Sequence, residues 1–251
     1  QLEAAWVDVD AALELVGGLP ATRPLEAATD YVALRMDLGW RYDLGDTLVL
    51  VRDGERTEVA VDDVQDVFVE RAVAHSHAKH STVDGRSFMV GALARLTANA
   101  NRLPERGRQL VDALGIPLPS RDPMDNNKAQ AVELAMDVER GLALVAQLLE
   151  LGPIAEPPTP VVPRAGQGAV VTEAPRGILL HDYTYDAEGR ITAANVITPT
   201  AFNAASVEDH FRAAIHRDGT DDEEALRHTL EMIARAYDPC ISCSVHLTRR
   251  R

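Results

Sequence analysis

Apolar residues recur at helical spacing over a long stretch in the middle of the chain. Between Asn126 and Leu151 they stand three or four positions apart, at Val132, Ala135, Val138, Leu142, Val145 and Leu149. That spacing predicts one face of a long helix. Further apolar residues flank this face, so we expect the helix to be buried on most sides: Leu134, Leu144 and Leu148.

Two other runs predict β-hairpins. In TLVLVRDGERTEVAV, apolar-rich segments flank an Asp-Gly turn at Asp53 and Gly54. In GILLHDYTYDAEGRITAANVI, Gly189 is placed in the turn, and three side chains alternate on one strand: His181, Tyr183 and Tyr185. The segment that follows, TPTAFNAASVED, is expected to form a loop.

A second amphipathic helix is predicted close to the end of the chain. The segment DGTDDEEALRHTLEMIARAY places acidic residues in the first turn, where the helix dipole favours them. Its apolar face carries Leu226, Leu230, Ile233 and Tyr237. Because Pro239 disfavours a helical conformation at Asp238, we expect this helix to end just before Cys240.

Five prolines lie within residues 152–168 and predict an extended connector. It separates a helix-rich segment with an N-terminal hairpin, residues 1–151, from residues 169–251. The second segment would contain a hairpin, a loop and a helix that leads to the C-terminal tail. The predicted fold class is therefore α+β, rich in helices and with small β-hairpins.

Composition excludes several classes of protein. The chain has 251 residues, of which 46% are hydrophobic, so it can bury a sizeable core. Its formal net charge of -14 argues against nucleic acid or an anionic membrane surface as the main partner. The sequence predicts no membrane span, and its first residues lack the basic start of a signal peptide. We therefore expect a cytoplasmic protein.

Both cysteines of the chain lie in the tail YDPCISCSVHLTRRR, at Cys240 and Cys243, with His246 three residues further on. Two thiolates at this spacing on a turn can converge on one metal ion. The same pair could instead form a redox dithiol, or be two incidental buried thiols. Spacing by itself leaves a structural zinc half-site, a redox pair and buried thiols open.

Four blocks of sequence resemble one known family in the same order. DPCISCSVH resembles the C-terminal Asp-Pro-Cys-x-x-Cys-x-x-His motif of nickel–iron hydrogenase large subunits. TEAPRGILLHDY is similar to the family's Glu-Ala-Pro-Arg-Gly strand, ITPTAFN to the loop after it, and SFMVGALARL to a Val-Gly-x-Leu-Ala-Arg segment. The resemblance implies the C-terminal half of a hydrogenase large subunit with that fold. The CISC wording and short tail are similar to the soluble NAD(P)-linked subgroup.

The resemblance also implies the metal ligands. Cys240 would be a terminal thiolate on nickel, and Cys243 would bridge nickel to an iron that carries carbon monoxide and cyanide. His246 would bind a separate magnesium or iron ion, together with a backbone carbonyl near Val196. The implied activity is the reversible oxidation of dihydrogen to protons and electrons.

Other residues would shape this centre without binding the metals. Arg176, which follows Pro175, matches the family's arginine over the open face of the metals, and Thr200 matches the hydroxyl that bonds a cyanide. Asp238 matches an outer carboxylate that pairs with the arginine region. Since a guanidinium is almost always protonated, Arg176 as a fixed charge and Arg176 as a proton acceptor both stay open.

The sequence departs from the family pattern in its cysteine count. The family uses four cysteines, two of them in an N-terminal Arg-x-Cys-Gly-x-Cys motif, whereas this chain has two. We expect the other pair on a preceding or separate segment that docks around the metals, partly on the helix at residues 129–151. An iron–sulfur small subunit and an NAD(P)-linked flavoprotein are the further expected partners. Residues 247–251 would mark an untrimmed form or a subgroup that keeps a short extension.

Two other functions stay open: a hydrogenase-like scaffold or assembly protein without the metal centre, and a zinc or redox-thiol domain.

Several polar side chains lie outside the tail. The histidines of HSHAKH are expected to be solvated or capping, although such clusters can bind metal: His75, His77 and His80. His181 is interpreted as a packed strand residue. Arg95 is expected to pair with a carboxylate or a carbonyl.

Overall fold

A computed structural model describes residues 2–19, 23–37, 40–43 and 45–241 of the chain. Within these residues the helices are α1 (Trp6–Gly17), α2 (Val64–Val67), α3 (Ala92–Ala98), α4 (Glu105–Ala113), α5 (Asp125–Leu151), α6 (Pro199–Asp218) and α7 (Glu223–Ala236). The strands are β1 (Asp30–Leu34), β2 (Thr47–Arg52), β3 (Glu55–Ala60), β4 (Phe68–Arg71), β5 (His80–Val83), β6 (Phe88–Met89), β7 (Gly166–Ala174), β8 (Gly177–Tyr185) and β9 (Ile191–Ile197). The predicted α+β class is confirmed.

The strands form three small sheets. One has the order β3-β2-β1-β6, in which β6 runs parallel to β1 and the other neighbours are antiparallel. β4 pairs with β5 in an antiparallel ribbon, and β7, β8 and β9 form an antiparallel meander. Strand β1 is buried along its whole length because it lies inside its sheet and packs against α3.

Local turn chemistry explains the first hairpin. β2 and β3 are joined by Asp53 and Gly54, whose φ angles are 51° and 85°. Positive φ at both positions is the backbone of the tight hairpin turn that Asp-Gly favours. The hairpin predicted from this dipeptide is confirmed, with Arg52 paired to Glu55 across the turn.

The long helix was predicted correctly as a helix but wrongly as one buried on most sides. α5 is well buried between Ala129 and Val138, where it packs on α1, α3 and α4. Leu142 still packs against the cluster around Val9, but beyond it the apolar residues of α5 face outward, with Leu148 at 65% exposure and Leu149 at 78%. The spacing of apolar residues predicts a helix, but it cannot show where along the helix the packing partners end.

The segment predicted as a loop is also a helix. α6 begins at Pro199, and the Thr198 side chain accepts a hydrogen bond from the Ala201 backbone N–H. Thr at the N-cap and Pro at the first helical position are a known start signal. That signal is present in TPTAFN, so it could have predicted the helix.

The proline-rich connector carries neither helix nor strand between residues 152 and 165, and every residue there is exposed. β7 begins at Gly166, so residues 166–168 of the predicted connector lie in a strand. Each of the two large hydrophobic clusters contains residues from both sides of the connector. One cluster joins Val132 to Ile233, and the other joins Val90 to Ile178.

A membrane span was not predicted from the sequence. Among the described residues, no helix combines the length and the apolar content that crossing a bilayer requires.

Candidate active site

Arg176 stands at the tip of the β7–β8 hairpin. Ala174 pairs with Gly177 across a turn formed by Pro175 and Arg176, so the motif predicted as one strand is a strand, a turn and a second strand. Gly177 has a φ of 129°, and a Cβ atom there would collide with the Val90 side chain. The turn is therefore pressed closely against the residues that precede α3.

A buried arginine donates hydrogen bonds to the backbone of this turn. Arg95 of α3, 1% exposed, donates two hydrogen bonds of 2.6 Å to Glu133 and one of 2.9 Å to Glu173. It also donates to the carbonyl oxygens of Ala174 and Pro175, each at 3.0 Å. The expected carboxylate or carbonyl pairing of Arg95 is confirmed for both kinds of acceptor. Arg95 thus fixes the backbone that presents the neighbouring guanidinium.

The charges in this cluster stay paired despite their burial. Burial alone would lower the pKa of Arg95, but Glu133 and Glu173 raise it well above its usual value. Burial raises the pKa of Glu173, although Arg95 and the Leu34 backbone N–H partly offset this rise. Glu173 also accepts a 2.8 Å hydrogen bond from the Leu34 backbone N–H, which ties the cluster to β1.

The Arg176 side chain donates hydrogen bonds to Asp238, the residue after Tyr237 at the end of α7. Its Nε donates to the Asp238 carbonyl oxygen, and its Nη2 donates to Asp238 Oδ1 at 3.1 Å. Asp238 has a φ of 48°, a left-handed conformation that turns the chain sharply after α7. The arginine and the carboxylate are therefore brought together across 62 residues of sequence.

A cavity of 240 Å³ lies beside this pair. The hairpin turn, α6 and the segment after α7 contribute ten of the residues that line it, among them Arg176, Thr200, Asn203, Tyr237, Asp238 and Pro239. Thr200 Oγ1 is buried and has no hydrogen-bond partner within the described part of the chain. A buried hydroxyl without a partner is costly, so Thr200 is available to donate to a group bound in the cavity.

The end of α7 is anchored by a buried chain of hydrogen bonds. Tyr237 Oη lies 2.7 Å from Ser206 Oγ and 2.7 Å from His210 Nδ1. His210 Nε2 in turn lies 2.9 Å from Thr29 Oγ1. Burial lowers the pKa of His210 to about 4, so the ring is neutral at pH 7. This network fixes the residue directly before Asp238.

Acid should destabilise the protein through His210. Its folded pKa of about 4 lies below the ordinary 6.5, so the unfolded chain binds the extra proton between these values. The contribution of neutral His210 to the free energy of unfolding should be fully present above pH 6.5. The free energy of unfolding should then fall by up to about 3 kcal/mol as the pH drops towards 4. Urea unfolding across this range should show a shallower pH dependence for His210→Gln. The exposed His216→Gln is the matched control; identical slopes for His210→Gln and the parent would contradict the assignment.

The other predicted site residues have different positions. Cys240 is half-buried and directly follows Pro239, which lines the cavity. Cys243 and His246 lie outside the described residues. Val196 lies on β9, paired with His181, and is not among the cavity-lining residues. Pro175 is exposed, and its carbonyl is taken up by Arg95.

Two buried asparagines contribute to the site and were not predicted from the sequence. Asn203 Oδ1 accepts from the Val90 backbone N–H at 2.9 Å, and its Nδ2 donates to the Arg176 carbonyl at 3.5 Å. Asn126 Nδ2 donates to the Ala236 carbonyl at 2.8 Å. Together they connect α6, the hairpin turn, α5 and α7. The sequence signal that could have identified these two asparagines is their position as polar residues within apolar helix faces.

The histidines on β8 and β5 differ in how well the sequence predicted their surroundings. His181 is half-buried on β8, and its Nδ1 lies 2.8 Å from Tyr183 Oη, as expected for a packed strand residue. The solvated interpretation of the HSHAKH cluster is wrong for His80, which is 2% exposed. β5 places that ring against α6, a contact that the local sequence does not reveal.

Comparison with known proteins shows where this architecture belongs. The family model described as nickel-dependent hydrogenase matches residues 42–246. The chain belongs to the nickel-dependent hydrogenase family. That span includes the hairpin turn, α6 and the cysteine tail, so all the predicted site residues of this hydrogenase-family chain fall inside the match.

Individual relatives agree with the family assignment. The chain is 39% identical over 236 residues to the sulfhydrogenase 1 subunit alpha of Pyrococcus furiosus, covering 94% of this chain and 54% of that protein. It is 37% identical over 210 residues to the sulfhydrogenase 2 subunit alpha of the same organism, covering 83% of this chain and 48% of that protein. The chain thus spans about half the length of these relatives.

Solved structures match the fold. An NAD⁺-reducing nickel–iron hydrogenase in the H₂-reduced state superposes with a TM-score of 0.71, covering 97% of this chain and 55% of that one at 23% identity. A nickel–iron–selenium hydrogenase of Dm. baculatum gives a TM-score of 0.69 at 19% identity, covering 98% of this chain and 58% of that one. The predicted large-subunit-like fold, limited to part of the relatives' length, is confirmed.

Proposed function

We propose that this chain is the C-terminal half of the catalytic large subunit of a nickel–iron hydrogenase, which reversibly oxidises dihydrogen to protons and electrons. One observation carries the proposal. The buried Thr200 hydroxyl, which has no described partner, lines the same cavity as Arg176 and Asp238, and Cys240 follows at its edge. A hydroxyl and a guanidinium that line one cavity, with a cysteine directly after its last lining residue, suit a metal centre with anionic ligands.

The donor set fits the metals of this family. Cys240 and Cys243 would hold nickel and iron as soft thiolate ligands. His246 would hold a magnesium or iron ion, assisted by the carbonyl near Val196. When bound, nickel and iron carrying carbon monoxide and cyanide would supply the Lewis-acid and redox chemistry that cleaves dihydrogen.

The residues around the cavity have separate tasks in this proposal. Thr200 would donate its hydroxyl to a cyanide on the bound iron, which would give the buried hydroxyl a partner. Arg176 holds a fixed positive charge at the open side, oriented by its two hydrogen bonds to Asp238. Pro175 positions that arginine because its carbonyl is clamped by Arg95. A preorganised charge of this kind stabilises charge separation without reorganising during the reaction.

The remaining ligands and the electron carriers would come from partners. An N-terminal large-subunit segment would supply the second cysteine pair. The exposed apolar end of α5, including Leu148 and Leu149, lies on the helix where we expect that segment to dock. An iron–sulfur small subunit would receive the electrons. Because two of the matched proteins are named as NAD-reducing, we propose an NAD(P)-linked flavoprotein as the further acceptor, in the cytoplasm.

Infrared spectroscopy with metal analysis tests this function. The purified complex should contain nickel and iron in equal amounts at the site and show carbon monoxide and cyanide stretching bands. Thr200→Val should shift the cyanide bands because the oxygen that donates to cyanide is removed. Turnover should fall by about five- to tenfold, the value of one hydrogen bond.

A matched control and a clear contrary outcome are available. Thr192→Val removes an exposed hydroxyl on β9 and should leave the bands in place. Cys240→Ser should abolish nickel binding, because it removes the proposed terminal thiolate on nickel. A nickel-replete complex without diatomic bands would overturn the catalytic proposal and leave a scaffold. Zinc on the thiolates would indicate a zinc domain instead.

A further inference from the structure

Three metal-binding atoms converge beside the cavity, which two of their residues, His80 and Glu208, help to line. His75 Nε2 lies 2.5 Å from Glu208 Oε1, and His80 Nε2 lies 3.2 Å from the same oxygen. All three atoms fall within 4.8 Å of one another. None of these residues belongs to the predicted nickel–iron ligand set, so the cluster is unexplained by the proposed function.

The fold brings these residues together from different elements. Glu208 lies in the middle of α6, and His80 is the first residue of β5, which packs against that helix. His75 lies in the loop that precedes β5. Ser76 shapes this loop by bonding both the backbone N–H and the carbonyl of Ala78, at 3.1 and 3.0 Å. The three candidate ligand atoms are therefore held close together before any metal ion binds.

The charge states suit metal ligation at neutral pH. Burial lowers the pKa of His80, which favours the neutral imidazole that binds metals. Burial alone would raise the pKa of Glu208, but His75, His80 and Arg212 hold it below its usual value. Arg212 donates to Glu208 Oε2 at 2.9 Å, which leaves Oε1 facing the two rings. An oriented ligand with an outer partner is typical of metal sites.

The surroundings decide what kind of ion fits. Two imidazole nitrogens and one carboxylate oxygen form the ligand set of many zinc sites that keep an open position. His80 and Glu208 both line the 240 Å³ cavity, so a fourth ligand could be water or a small molecule from that side. Hard cations such as magnesium and calcium prefer oxygen ligands and fit this set poorly.

We propose that His75, His80 and Glu208 form a second metal site for a borderline divalent transition ion such as Zn²⁺. On binding, both Nε2 atoms present lone pairs to the ion, and their protons reside on Nδ1. The ion joins the loop at His75 to α6 and so fixes one wall of the cavity that Arg176 lines. The cluster needs no residue of the thiolate site, so it stands independently of the hydrogenase function.

Zinc binding to the full chain tests the site. Equilibrium dialysis against Zn²⁺, read out by elemental mass spectrometry, should give one ion fewer per chain for His75→Gln and for Glu208→Gln than for the parent. Loss of a residue that only orients a metal ligand lowers metal affinity by about 10- to 100-fold. Loss of a ligand itself should lower the zinc affinity by more. His75 is exposed, so its substitution leaves the fold intact. His228→Gln, also exposed, is the matched control and should bind like the parent.

Zinc K-edge X-ray absorption separates this site from the cysteine tail. In the Cys240→Ser/Cys243→Ser chain, the retained ion should show only nitrogen and oxygen ligands at about 2.0–2.2 Å. Equal zinc content in His75→Gln and its parent would overturn the proposal, as would no bound zinc in either. Sulfur ligands on all the zinc of the wild-type chain would overturn it as well. Each of these measurements is independent of hydrogenase activity, so failure of either proposal can be recognised separately.

Discussion

Under the proposed hydrogenase function, replacing Arg176 with Lys should slow dihydrogen-dependent dye reduction by about 100- to 1000-fold, the usual cost of losing one preorganised hydrogen-bond donor. Lys keeps the charge but lacks the planar fork that engages both the carbonyl and the carboxylate of Asp238. The ammonium group would therefore not be held at the open side of the cavity. The measurement is the kcat of the assembled enzyme with an artificial electron acceptor.

Two further measurements distinguish positioning of charge from loss of structure. Nickel content and the infrared bands of Arg176→Lys should match those of the parent, because no metal ligand has changed. Arg190→Lys, an exposed arginine in the turn before β9, should keep full activity. Normal turnover in Arg176→Lys would contradict the role given to this side chain. A loss of nickel in proportion to the loss of rate would assign Arg176 to assembly instead.

Replacing Arg95 with Met should lower the free energy of unfolding by about 3–5 kcal/mol, the cost of removing one partner from a buried ion pair. Glu133 and Glu173 would be left buried without a counter-charge, and the Ala174 and Pro175 carbonyls would lose their donor. Urea unfolding of the chain measures the change, provided that the slope of the transition stays constant.

A compensated variant tests whether charge is the cause. Arg95→Met combined with Glu133→Gln and Glu173→Gln should recover much of the loss, since the amide oxygen introduced by Glu173→Gln still accepts from the Leu34 N–H. Arg227→Met removes an arginine whose pair with Glu231 is exposed, and should change stability by less than about 1 kcal/mol. If the triple variant is no more stable than Arg95→Met, lost packing and not buried charge explains the effect.

Local patterns predicted the elements whose signals are local. The spacing of apolar residues predicted α5 and α7, and the Asp53-Gly54 turn predicted the first hairpin, because these depend on neighbours within a few residues. α6 was predicted as a loop because its Ala-, Asn- and Ser-rich start has weak apolar periodicity. Its Thr198-Pro199 start signal was the better guide.

The site itself depended on contacts that no local pattern connects. Arg95 meets Glu133 across 38 residues and Glu173 across 78, and His75 meets Glu208 across 133. Motif resemblance placed Arg176, Thr200 and Asp238 in one site, and the structure brings them to one cavity. It could not reveal the residues that hold them there, since buried polar networks are fixed by the whole fold.

The exposed connector at residues 152–165 has a consequence for proteolysis. Its exposed backbone, outside any helix or strand, makes it the natural point of cleavage by an added protease. Yet a nick there would not separate two independent bodies, because Val90 and Ile178, on opposite sides of the cut, share one apolar cluster. The two fragments would co-purify, so the connector is a covalent tether between α5 and β7 within a jointly folded core and not a hinge.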